Sequence, residues 1–337
     1  MSTTDAAPET PDAPPASMRS SRRRIGDSVF SYLSIGSGLL IFVTLALVAV
    51  FLTSESMPAV MESREAIGDG AAFSLVETTL PLVFGTVLAA ALALVIAIPV
   101  SVGIALFISH YAPRRMASGL GYMIDLLAAV PSVVYGLWGG IWLVPKLEPL
   151  YLFLNTTLGT WPTWPGFMPF VGGDPIVALF AGDPHAPMRN LASASIVLAV
   201  MVLPIITAVA REVFLQTPRL QEEAALALGA TRWETVRTVV LPFGRSGVVA
   251  ASMLGLGRAL GETMAVLMIL APGATFSFHI LEVGMHQTIA ANIAAKEAES
   301  AGTEMSLLIF TGLVLFVLTF LINAIARWIV ARSGVKS

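Results

Sequence analysis

No cysteine occurs among the 337 residues. That excludes a disulfide framework, a thiolate nucleophile and any Cys-based zinc site. Histidine is scarce too, four in all, which argues against a His-rich metal centre. Charge is the third shortage. Asp, Glu, Lys and Arg make up 12% of the chain, about half of the ~25% usual in soluble domains. A water-soluble enzyme of this length could not cover its surface with so few charges. The net charge of −3 leaves no basic footprint for nucleic acid. Apolar residues dominate instead, 56% of the total, with a mean hydropathy of +0.81. The composition is that of a polytopic membrane protein.

Residues 1–27 read as a separate tail. Met1–Ser17 is rich in Pro, Ala, Ser and Thr, carries Asp5, Glu9 and Asp12, and has almost nothing to bury, so disorder is expected. Arg19, Arg22, Arg23 and Arg24 then precede the apolar run Val29–Thr53. That run is too long for a signal-peptide core and ends in no small-residue cleavage site, so it reads as a retained helix. Apolar segments of the ~20 residues needed to span recur at about Leu80–Ile108, Gly121–Leu143, Ala192–Ala210, Ser246–Thr275 and Ser306–Val330. Six spans are expected, with Pro99 and Pro131 as kinks in the second and third.

Lys and Arg placement sets the orientation. Fourteen of the 19 fall on one side, including the four tail arginines, Arg114, Arg211, Arg219 and Arg327. The other side holds four, Arg64, Lys146, Arg189 and Lys296, and Arg258 falls inside a span. Both termini are therefore expected in the cytoplasm of a cell (plasma or inner) membrane. The loops Ser54–Thr79, Val144–Leu191 and Phe276–Met305 should face outward. Val144–Leu191 contains eight of the 21 prolines, with Trp161 and Trp164. It reads as neither helix nor flexible linker; a rigid cap and a docking surface both fit.

The inward loop 211–245 is more than a connector. Thr217-Pro218 offers an N-cap with proline at the first helical position. Good helix formers run from Arg219 to Leu228, and Gly229 stops them. Thr231-x-x-Glu234 has capping-box spacing and opens a second helix expected to run to Leu241, with Pro242 at its end or kink. Within this stretch Glu223-Ala224-Ala225-x3-Gly229 is followed after nine residues by Val239-x-Leu241-Pro242. The pattern resembles the EAA loop of ABC importer permeases, with Val where the family pattern has Ile. The resemblance implies that Glu223, Ala224, Ala225, Gly229, Leu241 and Pro242 belong to a coupling segment that docks on a separate ATPase. None of the three lysines sits in a phosphate-cradling P-loop, so ATP and Mg would bind on the partner chain and this chain would be non-catalytic.

Arg258 lies thirteen residues beyond Arg245 with no charge between them, roughly 20 Å along a helix. That places it near the middle of a ~30 Å hydrocarbon core, where an arginine costs about 2.5–3.5 kcal/mol on insertion scales. Glu262 follows at i+4, which on an unbroken helix puts both side chains on one face. Gly255, Gly257 and Gly261 flank them and allow close approach. Two readings fit. One is an intrahelical ion pair that only holds the fold. The other is an anion site, in which the guanidinium fork meets oxyanion oxygens and Glu262 tempers its charge. Asp125 reads as interfacial, and a metal site at His279 and His286 is not expected.

The stretch Arg258-Ala-x-Gly261-Glu262-Thr263-Met264-Ala265 is similar to the motif of phosphate-specific permeases of the PstC and PstA type. Ala129-Val-Pro131-Ser-Val-Val-Tyr135-Gly136 looks like a second, PstC-type motif. The likeness extends over residues 28–332. It implies an all-α, MetI-like, type I ABC importer permease with inorganic phosphate as substrate and Arg258 and Glu262 on its pathway. It also implies a PstA-like permease as heterodimer partner, two PstB-like ATPase subunits and a PstS-like binding protein. A permease for sulfate or molybdate shares the loop, and an ion-coupled carrier shares only the hydropathy.

Overall fold

The computed structural model of the protein describes residues 25–68, 75–159 and 179–333. The expected disordered segment Met1–Ser17, with the tail arginines, and Trp161 and Trp164 lie outside the described residues. The chain divides into two units, Met1–Val50 and Phe51–Ser337. The described part of the first belongs to helix α1, Ile25–Gly68, an apolar stretch that contains the expected first span.

The second unit is helical, with no strand among the described residues. After α1 come α2 (Leu75–Leu106), α3 (Arg114–Ala128), α4 (Ser132–Trp138), α5 (Val144–Leu154) and α6 (Leu191–Leu215). Then follow α7 (Arg219–Ala227), α8 (Arg232–Thr235), α9 (Leu241–Leu260), α10 (Met264–Ile269), α11 (Ile289–Lys296) and α12 (Thr303–Ser333). Among the described residues five helices are long and apolar enough to cross a membrane, or six where the bent pair Arg114–Ala128 and Ser132–Thr157 is counted as one span. These are the spans the hydropathy pattern predicts, with two corrections.

The expected third span, Gly121–Leu143, is not one kinked helix. The chain turns by 91° between Arg114–Ala128 and Ser132–Thr157. Pro131 is extended (φ −59°, ψ 140°); it offers no amide for the helical ladder and holds Val130 off the helical path. The helical run beyond it continues as α4, a π-turn at Gly139–Leu143 and α5. Val144–Leu154, read from its prolines as the start of a non-helical loop, is therefore helix. Pro145 lies at the start of α5 directly after the π-turn, whose local widening accommodates its missing amide.

The expected fifth span, Ser246–Thr275, ends early. The helical run Arg232–Leu260 stops before Gly261, and α10 restarts three residues later. Likewise the second helix of the inward loop does not end near Pro242. A π-turn at Val236–Val240 joins α8 to α9, and this local widening accommodates the missing proline amide.

Small residues set the core. Ala89, Ala90, Ala93 and Ala97 of α2 are buried against α6, and Ser101 Oγ donates to the Leu203 carbonyl at 3.1 Å. On α9, Gly244, Gly247 and Gly255 back onto Phe214, Val213 and Ile206 of α6; a methyl at any of them would lie 2.5–2.8 Å from those side chains. With lipid as apolar as leucine, such close packing is what holds membrane helices together. Gly255 thus serves helix packing, whereas Gly257 faces open space.

Candidate functional site

Arg258 sits in the last turn of α9 and Glu262 beyond its end. The helix break separates the faces that i+4 spacing would have aligned. Among the described residues the two make no ion pair; the salt bridges found are His110–Glu222 and His279–Glu282. The ion-pair reading, one of the two the sequence left open, therefore has no ion pair behind it. Glu262 is buried at 8% exposure, and its Oε1 accepts from the amide of Ala265 at 3.1 Å. A carboxylate there satisfies one of the orphan amides of α10's first turn, while Thr263 Oγ1 donates to the Gly261 carbonyl at 3.3 Å. The local bonds of Glu262 and Thr263 compete with the helical ladder, and the break results.

Arg258 remains without that counter-charge. Its Nε is buried and has no hydrogen-bond partner. The residue lines a cleft of about 800 Å³ between α6, α9 and α12, together with Gly257, Asn323 and Arg327. Ile205, Met253 and Leu254 supply apolar wall. A half-buried guanidinium over an open cleft is a donor array without an acceptor, the arrangement an oxyanion completes.

The two motif segments meet. A methyl at Gly136 of α4 would stand 2.8 Å from Ala265 Cα and 3.1 Å from Met268 Sδ of α10. Gly136 therefore permits backbone-level approach of the two restarted helices. The Tyr135 hydroxyl donates to the Leu127 carbonyl at 2.9 Å. Met268 packs against Gly136.

Arg189 was placed by sequence only as an outward charge, yet it clamps α10. Its Nε donates to the Ile269 carbonyl at 3.4 Å and its terminal nitrogen to those of Leu267 and Met268 at 3.3 and 3.2 Å. A cation on the last carbonyls of a helix also favours its dipole. The neighbouring Asn190 side chain accepts from Ser193 N at 3.0 Å, a cap its residue type could have signalled.

The inward-loop residues fall into two groups. Glu223 and Ala224 on α7 are exposed, Ala225 is half-buried, and Gly229 turns the chain at φ +89°. Its amide and that of Ala230 donate to the Leu226 and Ala225 carbonyls at 3.0 and 3.1 Å, a glycine-ended helix stop. The expected capping box is present: Thr231 Oγ1 accepts from Glu234 N at 3.3 Å, and Glu234 Oε2 accepts from Thr231 N at 2.7 Å. The expected Thr217 cap is absent. Pro218 takes the N-cap position, and the buried Thr217 hydroxyl has no partner. Around the turn Leu220, Leu228 and Trp233 are 80%, 90% and 58% exposed, a concentration of apolar surface that marks an interaction face. Leu241 and Pro242 are set apart: Leu241 packs at the foot of α9 in a cluster with Phe214 and Val240.

Asp125 is exposed. His279 and His286 take different hydrogen-bond partners. His279 Nδ1 lies 3.1 Å from Glu282 Oε2. His286 is buried, with Nε2 2.7 Å from the Ser277 carbonyl.

Residues 98–335 match the family of binding-protein-dependent transport system inner membrane components. The chain is 46% identical over 318 residues to phosphate transport system permease protein PstC 2 of Mycobacterium tuberculosis (strain ATCC 25618 / H37Rv), covering 92% of this chain and 93% of that relative. It is 34% identical over 334 residues to the phosphate transport system permease protein PstC of Mesorhizobium japonicum (strain LMG 29417 / CECT 9101 / MAFF 303099), with 94% and 93% covered. Among solved structures, an inward-facing MetNI methionine ABC transporter aligns over 77% of this chain and 96% of that one, at 18% identity and TM-score 0.49. At this identity and coverage, the chain belongs to the PstC-type permeases, within the binding-protein-dependent transport system inner membrane components.

Proposed function

We infer that this chain is one of the two permease subunits of an ATP-driven importer of inorganic phosphate. The observation that carries the reading is Arg258, its buried Nε unpartnered, on the wall of a cleft about 800 Å³ in volume. The names of its relatives supply the oxyanion. In the transport cycle Arg258 donates to phosphate oxygens as the anion passes. Glu262 acts on the backbone: by holding the start of α10 it keeps the helix broken beside the arginine. Discontinuous helices at the substrate level are a recurrent device in transporters.

A PstA-like permease completes the pathway, and a PstS-like binding protein delivers phosphate to the outward face. Two PstB-like subunits bind ATP and Mg and perform the hydrolysis. The exposed α7–Gly229–α8 elbow, with Glu223 and Ala224, docks on one of them, and both termini share that cytoplasmic side. The test is radiolabelled phosphate uptake in cells lacking this chain, complemented with wild type or Arg258→Gln, with sulfate and molybdate as competitors. Uptake that needs Arg258 and resists both competitors is expected. Near-normal uptake by the variant would reduce the arginine to scaffold, and efficient competition by sulfate would reassign the substrate.

A further inference from the structure

A second group of arginines lies away from Arg258 and is unused by the transport reading. Arg114 at the start of α3, Arg211 near the end of α6 and Arg219 at the start of α7 line one cleft of about 610 Å³, with Ser118, Tyr122 and Asp125. None of the three arginines forms an ion pair among the described residues. Arg211 Nε is buried without a hydrogen-bond partner. Its guanidinium lies over Gly121, where a methyl would stand 2.9 Å from the guanidinium carbon. Three helices thus deliver to one concavity guanidinium groups that form no ion pair among the described residues, against the single carboxylate of Asp125, and the site is built into the packing of α3 on α6.

The setting narrows the ligand. α3 lies at 91° to the helical run Ser132–Thr157. If that run crosses the bilayer, α3 lies along its surface. Met116, Tyr122, Met123 and Leu126 of α3 are 52–67% exposed, the apolar side that an interfacial helix turns toward acyl chains. The Lys and Arg asymmetry puts this end of the bundle at the cytoplasmic leaflet, whose anionic lipids attract basic residues. Asp125, also on the cleft, offers an acceptor to headgroup hydroxyls.

We propose that the Arg114–Arg211–Arg219 cleft binds a phosphate oxyanion, presented by the headgroup of an anionic phospholipid of the cytoplasmic leaflet. The site joins α3, at the lipid surface, to Arg219 on the ATPase-docking segment. It depends on the orientation of the chain and not on the identity of the transported anion. The test uses the full chain purified with its partner subunits, titrated with fluorescent phosphatidylglycerol, with phosphatidylcholine, and with inorganic phosphate as competitor. Saturable phosphatidylglycerol binding is expected, with little for phosphatidylcholine. Arg114→Gln should weaken it about fivefold, while Arg115→Gln, the exposed neighbour outside the cleft, should change it less than about twofold. Both positions are exposed, so folding is preserved in each. Displacement by millimolar inorganic phosphate, lost in Arg114→Gln, would keep the oxyanion site and assign it to free phosphate. Equal binding of phosphatidylcholine, or equal affinity in the Arg114→Gln and Arg115→Gln proteins, would overturn the proposal.

Discussion

Arg258 and Glu262 are four positions apart, yet one lines a cleft and the other holds a backbone amide. For Arg258→Gln, loss of charge-assisted donors should lower phosphate uptake about 10- to 100-fold while the complex still assembles, as co-purification with the partner subunits would show. Glu262 gives a sharper contrast. Its carboxylate accepts an amide hydrogen, and Gln keeps an acceptor there, so Glu262→Gln should retain most uptake. Glu262→Ala should destabilise the α10 start by about 0.5–2 kcal/mol and lower both uptake and thermal stability. Equal damage from Glu262→Gln and Arg258→Gln would show that its charge matters after all. Arg258 was legible in the sequence because one cation interrupts a long apolar run. The role of Glu262 was not, since i+4 spacing reports a shared face only while the helix is intact. A third test is pH. Burial holds the His286 ring below its ordinary pKa of 6.5, partly offset by the Ser277 carbonyl and the nearby Glu282, with His279 opposing. The ring is neutral when folded, so its contribution is complete above about pH 6.5 and declines as acid favours the unfolded, protonated form. Thermal unfolding at pH 7.5 and 5.5 should show a smaller acid loss for His286→Gln than for wild type.

The inward elbow and the two broken spans divide the helices into those that hydropathy locates and those it misplaces. The elbow was readable because its signals are local: a capping box, a glycine stop and good helix formers. Gly229 sits at φ +89° with open space around it, so a side chain there costs backbone strain and not a clash. Gly229→Val should cost about 1–2 kcal/mol locally and loosen ATPase association or uncouple hydrolysis, read by co-purification and by substrate-stimulated ATPase rate. Glu223→Lys should act on the same readouts through charge. Pro131 marked where the third span bends but not that the bend reaches 91°, because a hydropathy window sums over such a turn as readily as over a straight helix, and the same window hid the break at Gly261. Pro145 and Pro149 were equally ambiguous: prolines mark loops in composition, yet here one starts α5 and one lies within it.

For the whole molecule, the number of spans and the packing order follow from apolar length and small residues, whereas orientation rests on the distribution of Lys and Arg. The absence of native cysteine makes the chain its own background for labelling. Lys296→Cys should react with a membrane-impermeant maleimide in intact cells, and Arg237→Cys only after permeabilisation. Equal labelling of the two would invert or dissolve the topology. Gly136 and Ala265 carry a mechanical consequence. Their backbones meet with no space for a methyl, so α4 and α10 are held in close register at this crossing. In the proposed cycle, any swivel that shows the guanidinium to one compartment and then the other falls to the irregular joints at Ala129–Pro131 and Gly261–Thr263, so stiffening either joint should lower uptake as a missing charge does.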